Sequence, residues 1–117
     1  MLLIDDDEWI RDSLSFFFDA EGCKLRTFET AEEALKVLRR QHYDIIICDY
    51  RLPGMDGLQF FKHIQGSHPH AIKILITAYM TDGVAKAAKK LGTDELIAKP
   101  FTSEKIETSL TRLLGNA

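Results

Sequence analysis

Cysteine is scarce in this chain of 117 residues: there are two, Cys23 and Cys48. They make neither a CxxC pair nor a disulfide framework. Both are read as small buried hydrophobes in a reducing compartment, with the cytoplasm the expected location. Long apolar runs are missing as well. No run exceeds four residues, whereas a membrane span needs about 20. Met1-Leu2-Leu3-Ile4 has no basic segment before it and runs straight into acid, so it does not read as a signal peptide. Basic charge is not in excess: 15 Lys+Arg face 18 Asp+Glu, a formal net charge of −3. With no basic stripe either, direct nucleic-acid binding is not expected. There is no repeat, low-complexity tract or linker. GxGxxG and GK[ST] are absent, which removes the dinucleotide fingerprint and the P-loop.

What the chain has is 45% apolar and 28% charged residues, the balance of a soluble globular domain. The length suits one packed core and leaves little for a second, so a single domain over 1–117 is expected, without a DNA-binding or catalytic domain beside it. The negative charge is uneven. Asp5-Asp6-Asp7-Glu8 carries four negatives, and without them the formal sum would be +1.

Two periods alternate along the chain. Leu2-Leu3-Ile4, Leu25 to Phe28, Ile45-Ile46-Ile47, Ile72 to Ile76 and Leu96-Ile97 are short, apolar and bounded by charge, Gly or Pro, as buried strands are. Ile45 to Cys48 is apolar at consecutive positions, so both its faces must be covered. Between these runs lie helical spacings. Ile10, Leu14, Phe17 and Phe18 share one face and stop before Gly22. Thr30-Ala31-Glu32-Glu33 reads as a capping box, with Ala31, Leu35 and Leu38 inward. Leu58, Phe61 and Ile64 mark a third helix, and Val84, Ala88 and Leu91 a fourth closed by Gly92. Ser103 caps a fifth that buries Ile106, Leu110 and Leu113. Strict βα alternation implies a doubly wound α/β domain with a parallel sheet and right-handed crossovers.

In such sheets ligands gather beyond the carboxyl ends of the strands. Asp5 and Asp6 follow the first apolar run, Asp49 the third, Thr77-Ala78 the fourth and Lys99-Pro100 the fifth. Each has a structural explanation alone: acids near a helix start are favoured by the dipole, by about 0.3–1 kcal/mol, Asp49 suits a turn, and Thr77 suits a strand end. Together they are harder to explain that way, because three carboxylates at one edge repel one another unless a cation joins them. A hard divalent ion with oxygen ligands, Mg²⁺ above all, meets that need.

Ile4-Asp5-Asp6, Cys48-Asp49-Tyr50-Arg51-Leu52-Pro53-Gly54-Met55-Asp56-Gly57, Ile76-Thr77-Ala78 and Lys99-Pro100-Phe101, in this order, resemble the receiver domain of two-component response regulators. The resemblance spans essentially the whole chain. It implies a flavodoxin-like (βα)5 fold with strand order 2-1-3-4-5. It also implies a phosphorylation-activated switch in which a sensor histidine kinase or a histidine phosphotransfer protein passes a phosphoryl group to Asp49. On the family pattern Asp6 and Asp49 would ligate Mg²⁺ with the backbone carbonyl of Arg51, and Asp5 would act mainly through water. Lys99 would pair with one phosphoryl oxygen and Thr77 would donate its hydroxyl to another. Ala78 would leave room for the group, and Lys99-Pro100 would be cis. The family usually couples the threonine to an aromatic three residues before the lysine; this chain has Leu96 there, a departure that puts that coupling in doubt. Arg51 and Tyr79, beside the pocket, are expected to shield the acyl phosphate from water. A downstream effector, and a homodimer through the fourth helix, fifth strand and fifth helix, are the further partners implied.

Other features are read as structural. Asp7 and Glu8 start the first helix, Asp56 belongs to a turn, Lys86, Lys89 and Lys90 form a solvated face, and Trp9 and Phe16 to Phe18 pack. His42, His63, His68 and His70 are not a metal box, with His68-Pro69-His70 a solvated loop. Three rivals remain. A Mg²⁺-dependent aspartyl-nucleophile phosphatase would use Asp5, but Trp9 sits where a small residue belongs. An FMN domain needs a Ser/Thr/Gly-rich loop where this chain is acidic. A phosphorylation-independent receiver would not need the full set of Asp5, Asp6, Asp49, Thr77 and Lys99. Met1 abuts the first strand and Ala117 follows the last helix, which fits a stand-alone receiver or one excised from a longer regulator.

Overall fold

The apolar runs become strands and the amphipathic segments helices, in the order β1 (Leu2–Ile4), α1 (Glu8–Ala20), β2 (Arg26–Phe28), α2 (Ala31–Leu38), β3 (Ile45–Asp49), α3 (Gly57–Ile64), β4 (Ile72–Thr77), α4 (Asp82–Lys90), β5 (Glu95–Ala98) and α5 (Ser103–Gly115). This is a computed structural model that describes residues 1–115; Ala117, expected just past the last helix, lies outside the described residues. All pairings are parallel, and the strand order is β2-β1-β3-β4-β5. No helix among the described residues is long and apolar enough to cross a membrane.

Alternation along the strands sorts the core into two layers. Leu2, Ile4, Ile46, Cys48 and Leu75 face α2, α3 and α4, where they meet Leu38, Phe60, Phe61, Ile64 and Ala88. Leu3, Ile47, Ile74, Ile76 and Ile97 face the other way, onto Leu14 and Phe18 of α1 and Ile106 and Leu110 of α5. β3 is buried over its whole length, as its unbroken apolar run requires.

Local chemistry sets the helix ends. The Asp7 carboxylate accepts from the Trp9 N–H at the start of α1, and Asp56 and Gln59 close a capping box on α3. Gly22, at φ +79°, ends α1: the Cys23 N–H reaches the Phe18 carbonyl and the Gly22 N–H the Asp19 carbonyl, a Schellman closure that needs a left-handed residue. At α2, Thr30 Oγ1 accepts from the Glu33 N–H as expected, but the Glu33 carboxylate returns to the Thr30 hydroxyl.

Several expectations need correction. Ala34 rather than Leu35 completes the buried face of α2, and Leu35 is half-buried. Thr102, not Ser103, caps α5, its Oγ1 accepting from the Lys105 N–H. Cys23 is exposed, because it follows the closing glycine at the end of α1, while Cys48 is buried in β3. Trp9 and Phe16 are not packed but 77% and 81% exposed. Successive helical residues turn by about 100°, so Phe16, Phe17 and Phe18 cannot all face inward, and Phe18 takes the core. His68 is not in a solvated loop: it is buried, with its N–H on the Ile64 carbonyl and its carbonyl taken by the buried Lys73 ammonium at 2.9 Å.

Candidate functional site

Parallel register delivers the chemistry to one edge. Ile4 pairs with Cys48, so Asp5 and Asp49 leave β1 and β3 at the same level. Asp49 pairs with Ile76, which puts Thr77 one step beyond it, and Thr77 pairs with Ala98, just before Lys99. β1 and β3 are the neighbours at which the strand order reverses, the point where open α/β sheets form their crevice.

Carboxylate oxygens of Asp5, Asp6 and Asp49 lie within 4.8 Å of one another. Asp5 and Asp49 are buried and Asp6 is exposed, so the cluster opens to solvent on the side of Asp6. Lys99 closes it opposite: its Nζ donates to Asp49 Oδ2 at 2.9 Å and lies 3.1 Å from Asp5 Oδ2. The second contact is an ion pair without hydrogen-bond alignment, which leaves Asp5 Oδ2 enclosed and accepting no hydrogen bond. Asp5 Oδ1 accepts from the Asp7 N–H at 2.9 Å. Burial pushes the Asp5 carboxyl above its ordinary range. Burial also raises Asp49, to about 6, against the opposing hydrogen bond from Lys99. For Lys99, burial works against the charge, but the bond to Asp49 and the charges of Asp5 and Asp49 outweigh it and raise its pKa. One ammonium thus serves two of the three clustered carboxylates, those of Asp5 and Asp49, and the remaining negative charge of an all-oxygen donor set fits a hard divalent cation such as Mg²⁺.

Thr77 is fully buried at the end of β4, and its Oγ1 accepts from the Tyr79 N–H at 2.8 Å. Arg51 is exposed, two residues past Asp49, and its guanidinium lies 4.4 Å from the centre of the Tyr79 ring. Ala78 lies at the rim and is exposed, and the Lys99–Pro100 bond is cis. The structure therefore clusters the carboxylates of Asp5, Asp6 and Asp49 and joins Lys99 to Asp5 and Asp49. It sets Thr77 on the adjacent strand end and places the Arg51 side chain over Tyr79, away from the carboxylates.

Three supports escaped the sequence reading. Arg11 donates to the Asp5 carbonyl at 2.8 Å, and only its place in the first turns of α1, near the sheet edge, pointed there. Gly57 lets α3 pass close behind Asp49: a Cβ on it would stand 2.5 Å from the Asp49 carbonyl oxygen and 2.8 Å from Leu75 Cδ1. Glu32, on α2, accepts from the Met55 N–H at 3.2 Å and steadies the loop after Asp49.

Known proteins share this arrangement. The C4-dicarboxylate transport transcriptional regulatory protein DctD of Rhizobium meliloti is 35% identical over 112 residues, covering 96% of this chain and 24% of that protein. The transcriptional regulatory protein FixJ of Bradyrhizobium diazoefficiens is 28% identical, covering 98% and 56%. The chain thus spans between about a fifth and just over half the length of these and similar curated relatives. Among solved structures, a CheY-like receiver domain protein of Methanospirillum hungatei superposes with TM-score 0.93 at 25% identity, over 98% of this chain and 92% of that one. A Burkholderia pseudomallei response regulator, solved with a phosphorylated aspartic acid, a calcium ion and citrate, gives 0.86 at 29% identity, over 93% and 64%. Residues 1–111 match the family described as response regulator receiver domain. With the acidic crevice standing at the strand-order reversal of the same fold, this chain belongs to the receiver domains of two-component response regulators.

Proposed function

We propose that Asp49 is the phosphoacceptor, that Mg²⁺ is held by Asp5, Asp6, Asp49 and the backbone carbonyl of Arg51, and that the donor is the phosphohistidine of a sensor histidine kinase or a histidine phosphotransfer protein. The observation that carries this is three carboxylates with oxygens within 4.8 Å of one another, two of which, Asp5 and Asp49, pair with the ammonium of Lys99. A carboxylate is a modest nucleophile and the arriving group is anionic, so positioning and neutralisation must supply the catalysis. Asp49 Oδ attacks phosphorus, the P–N bond to the donor imidazole breaks with its electron pair returning to nitrogen, and an aspartyl phosphate remains. Above pH 6 Asp49 is mainly ionised and ready to attack. Lys99, already on Asp49 Oδ2, transfers to a phosphoryl oxygen. Thr77 exchanges its bond from the Tyr79 N–H for one that its hydroxyl donates to the phosphoryl group. When bound, Mg²⁺ supplies further neutralisation of the phosphoryl oxygens.

The donor has to rest on the rim of the pocket. A cleft of about 430 Å³ lined by Trp9, Ile10, Ser13, Lys99, Pro100 and Phe101 runs from Lys99 along α1, and its exposed Trp9 fits an apolar helix of the donor. Activation favours one of two pre-existing states and passes to an effector, in the same polypeptide or a separate one, with residues 1–117 forming the receiver alone. Homodimerisation through α4, β5 and α5, and operation in the cytoplasm, complete the reading.

The test is dependence on the cation. Incubated with a small phosphodonor and Mg²⁺, the protein should gain one phosphoryl group by intact mass, and chelation should suppress the gain. Equal phosphorylation in chelator would contradict the assigned cation site.

A further inference from the structure

The two acids that follow β1 sit on a loop braced by a side chain that takes no part in phosphoryl transfer. Asp5 is pinned at three points. Its backbone N–H donates to the Phe28 carbonyl at 3.0 Å, its Oδ1 accepts from the Asp7 N–H at 2.9 Å, and its carbonyl accepts from Arg11 Nη1 at 2.8 Å. Arg11 stands near the start of α1, where its N–H bonds the Asp7 carbonyl at 3.1 Å, and its side chain folds back over the loop. That side chain is 13% exposed. Its Nη2 also lies 3.4 Å from Oε1 of Glu29, just after β2, but the Glu29 side chain is 69% exposed, so this pair is a weak surface contact. The bond to the Asp5 carbonyl is shorter and more sheltered, and it comes from a charged donor.

We propose that Arg11 is a positioning residue for the cation pocket: by fixing the peptide between Asp5 and Asp6 it keeps the Asp6 carboxylate beside those of Asp5 and Asp49, and so sets the affinity for Mg²⁺. The proposal rests on the assignment of these three carboxylates as the cation's ligands. The carbonyl that Arg11 holds belongs to the peptide bond joining Asp5 to Asp6. That bond is planar, so turning its carbonyl swings the Cα of Asp6, and with it the exposed member of the cluster. Asp5 and Asp49 are buried and paired with Lys99, whereas Asp6 is open to water. Like charges whose oxygens lie within 4.8 Å push Asp6 outward in the cation-free protein. A guanidinium locked on the peptide resists that movement, which leaves less freedom for Mg²⁺ to remove when it binds. The charge of Arg11 acts in the opposite direction. A cation repels Mg²⁺, so if Arg11 acted through its field alone, its removal would strengthen binding. The sign of the change separates the two roles.

Calorimetric titration of Mg²⁺ into wild type, Arg11→Met, Arg11→Lys and Glu29→Gln tests this, with urea unfolding to show that each variant folds. Methionine keeps the apolar stem of the side chain and removes charge and donors together. Mg²⁺ should bind wild type, and Arg11→Met about tenfold more weakly, the lower end of what losing an outer contact costs at a metal site. Arg11→Lys keeps the charge and a donor without the planar fork, and its affinity should fall between the two. Glu29→Gln should bind as wild type does. Equal or tighter binding by Arg11→Met, or by Arg11→Lys if the methionine variant does not fold, would overturn the proposal. An equal loss in Glu29→Gln would assign the effect to the ion pair and overturn it too. A wild type that binds no Mg²⁺ would overturn the cation assignment beneath the proposal, and the proposal with it.

Discussion

Asp49 titrates at about 6 in the folded, cation-free protein, against 3.8 for an unperturbed carboxyl, because it is buried beside Asp5 and only partly compensated by Lys99. Between these values the folded state binds more protons than the unfolded state, so the group's contribution to stability falls as pH rises from 3.8 to about 6 and stays low above. Asp49→Asn removes that charge. By urea unfolding it should be more stable than wild type at neutral pH, and the gap should close as acid protonates the wild-type carboxyl. A gap that does not change with pH would contradict the burial argument. Arg51 and Tyr79 form a second residue-level feature, a cation–π pair at 4.4 Å beside the pocket, in a geometry worth about 0.5–1 kcal/mol when exposed. If that pair keeps water from the aspartyl phosphate, Arg51→Ala and Tyr79→Ala should each speed dephosphorylation several-fold, read as decay of the phosphorylated mass. The acidic residues, Thr77 and Lys99 were legible from sequence because each ends an apolar run. Arg11 and the Tyr79 N–H were not, because their contacts run through backbone atoms that side-chain patterns do not report.

At the level of elements, α3 matters most to the site, since its first turn lies directly behind Asp49. Gly57→Ala would force a Cβ to 2.5 Å from the Asp49 carbonyl, an overpacking that costs about 1–3 kcal/mol. The variant should lose that much stability by denaturant unfolding and accept phosphoryl more slowly from a small donor. Full retention of both would mean that α3 does not hold Asp49 in place. Helix ends were readable at Thr30 and Gly22, where a capping hydroxyl and a left-handed glycine decide them, but not at α5, where Thr102 caps instead of the neighbouring Ser103. Face assignments were less so. Apolar character alone does not separate the inward Phe18 from the outward Phe16 and Trp9, nor Ala34 from Leu35, because small residues fit where a helix lies close to the sheet. His68 was misread for a related reason: a polar Ser-His-Pro-His stretch looks solvated until Lys73 is found beneath it in β4. At β5, Leu96 packs on the layer that holds α4, so β5 offers Thr77 no aromatic hydroxyl at that position.

Over the whole molecule, parallel register and the reversal of strand order at β1 and β3 gather on one edge residues as distant as Asp5, Asp49, Thr77 and Lys99. The modest net charge of −3 conceals this local acidity, which becomes a cluster of three carboxylates only once β3 brings Asp49 beside Asp5. As a receiver domain, the chain is a signalling switch rather than an enzyme that turns over an external substrate. The most direct measurement of its central chemistry is the intact mass of wild type and of Asp49→Asn after incubation with a small phosphodonor and Mg²⁺, with peptide mapping of any adduct. Wild type should carry one phosphoryl group on Asp49 and the variant none. No adduct on wild type, an undiminished adduct on the variant, or a phosphoryl group mapped to Asp5 would contradict the account.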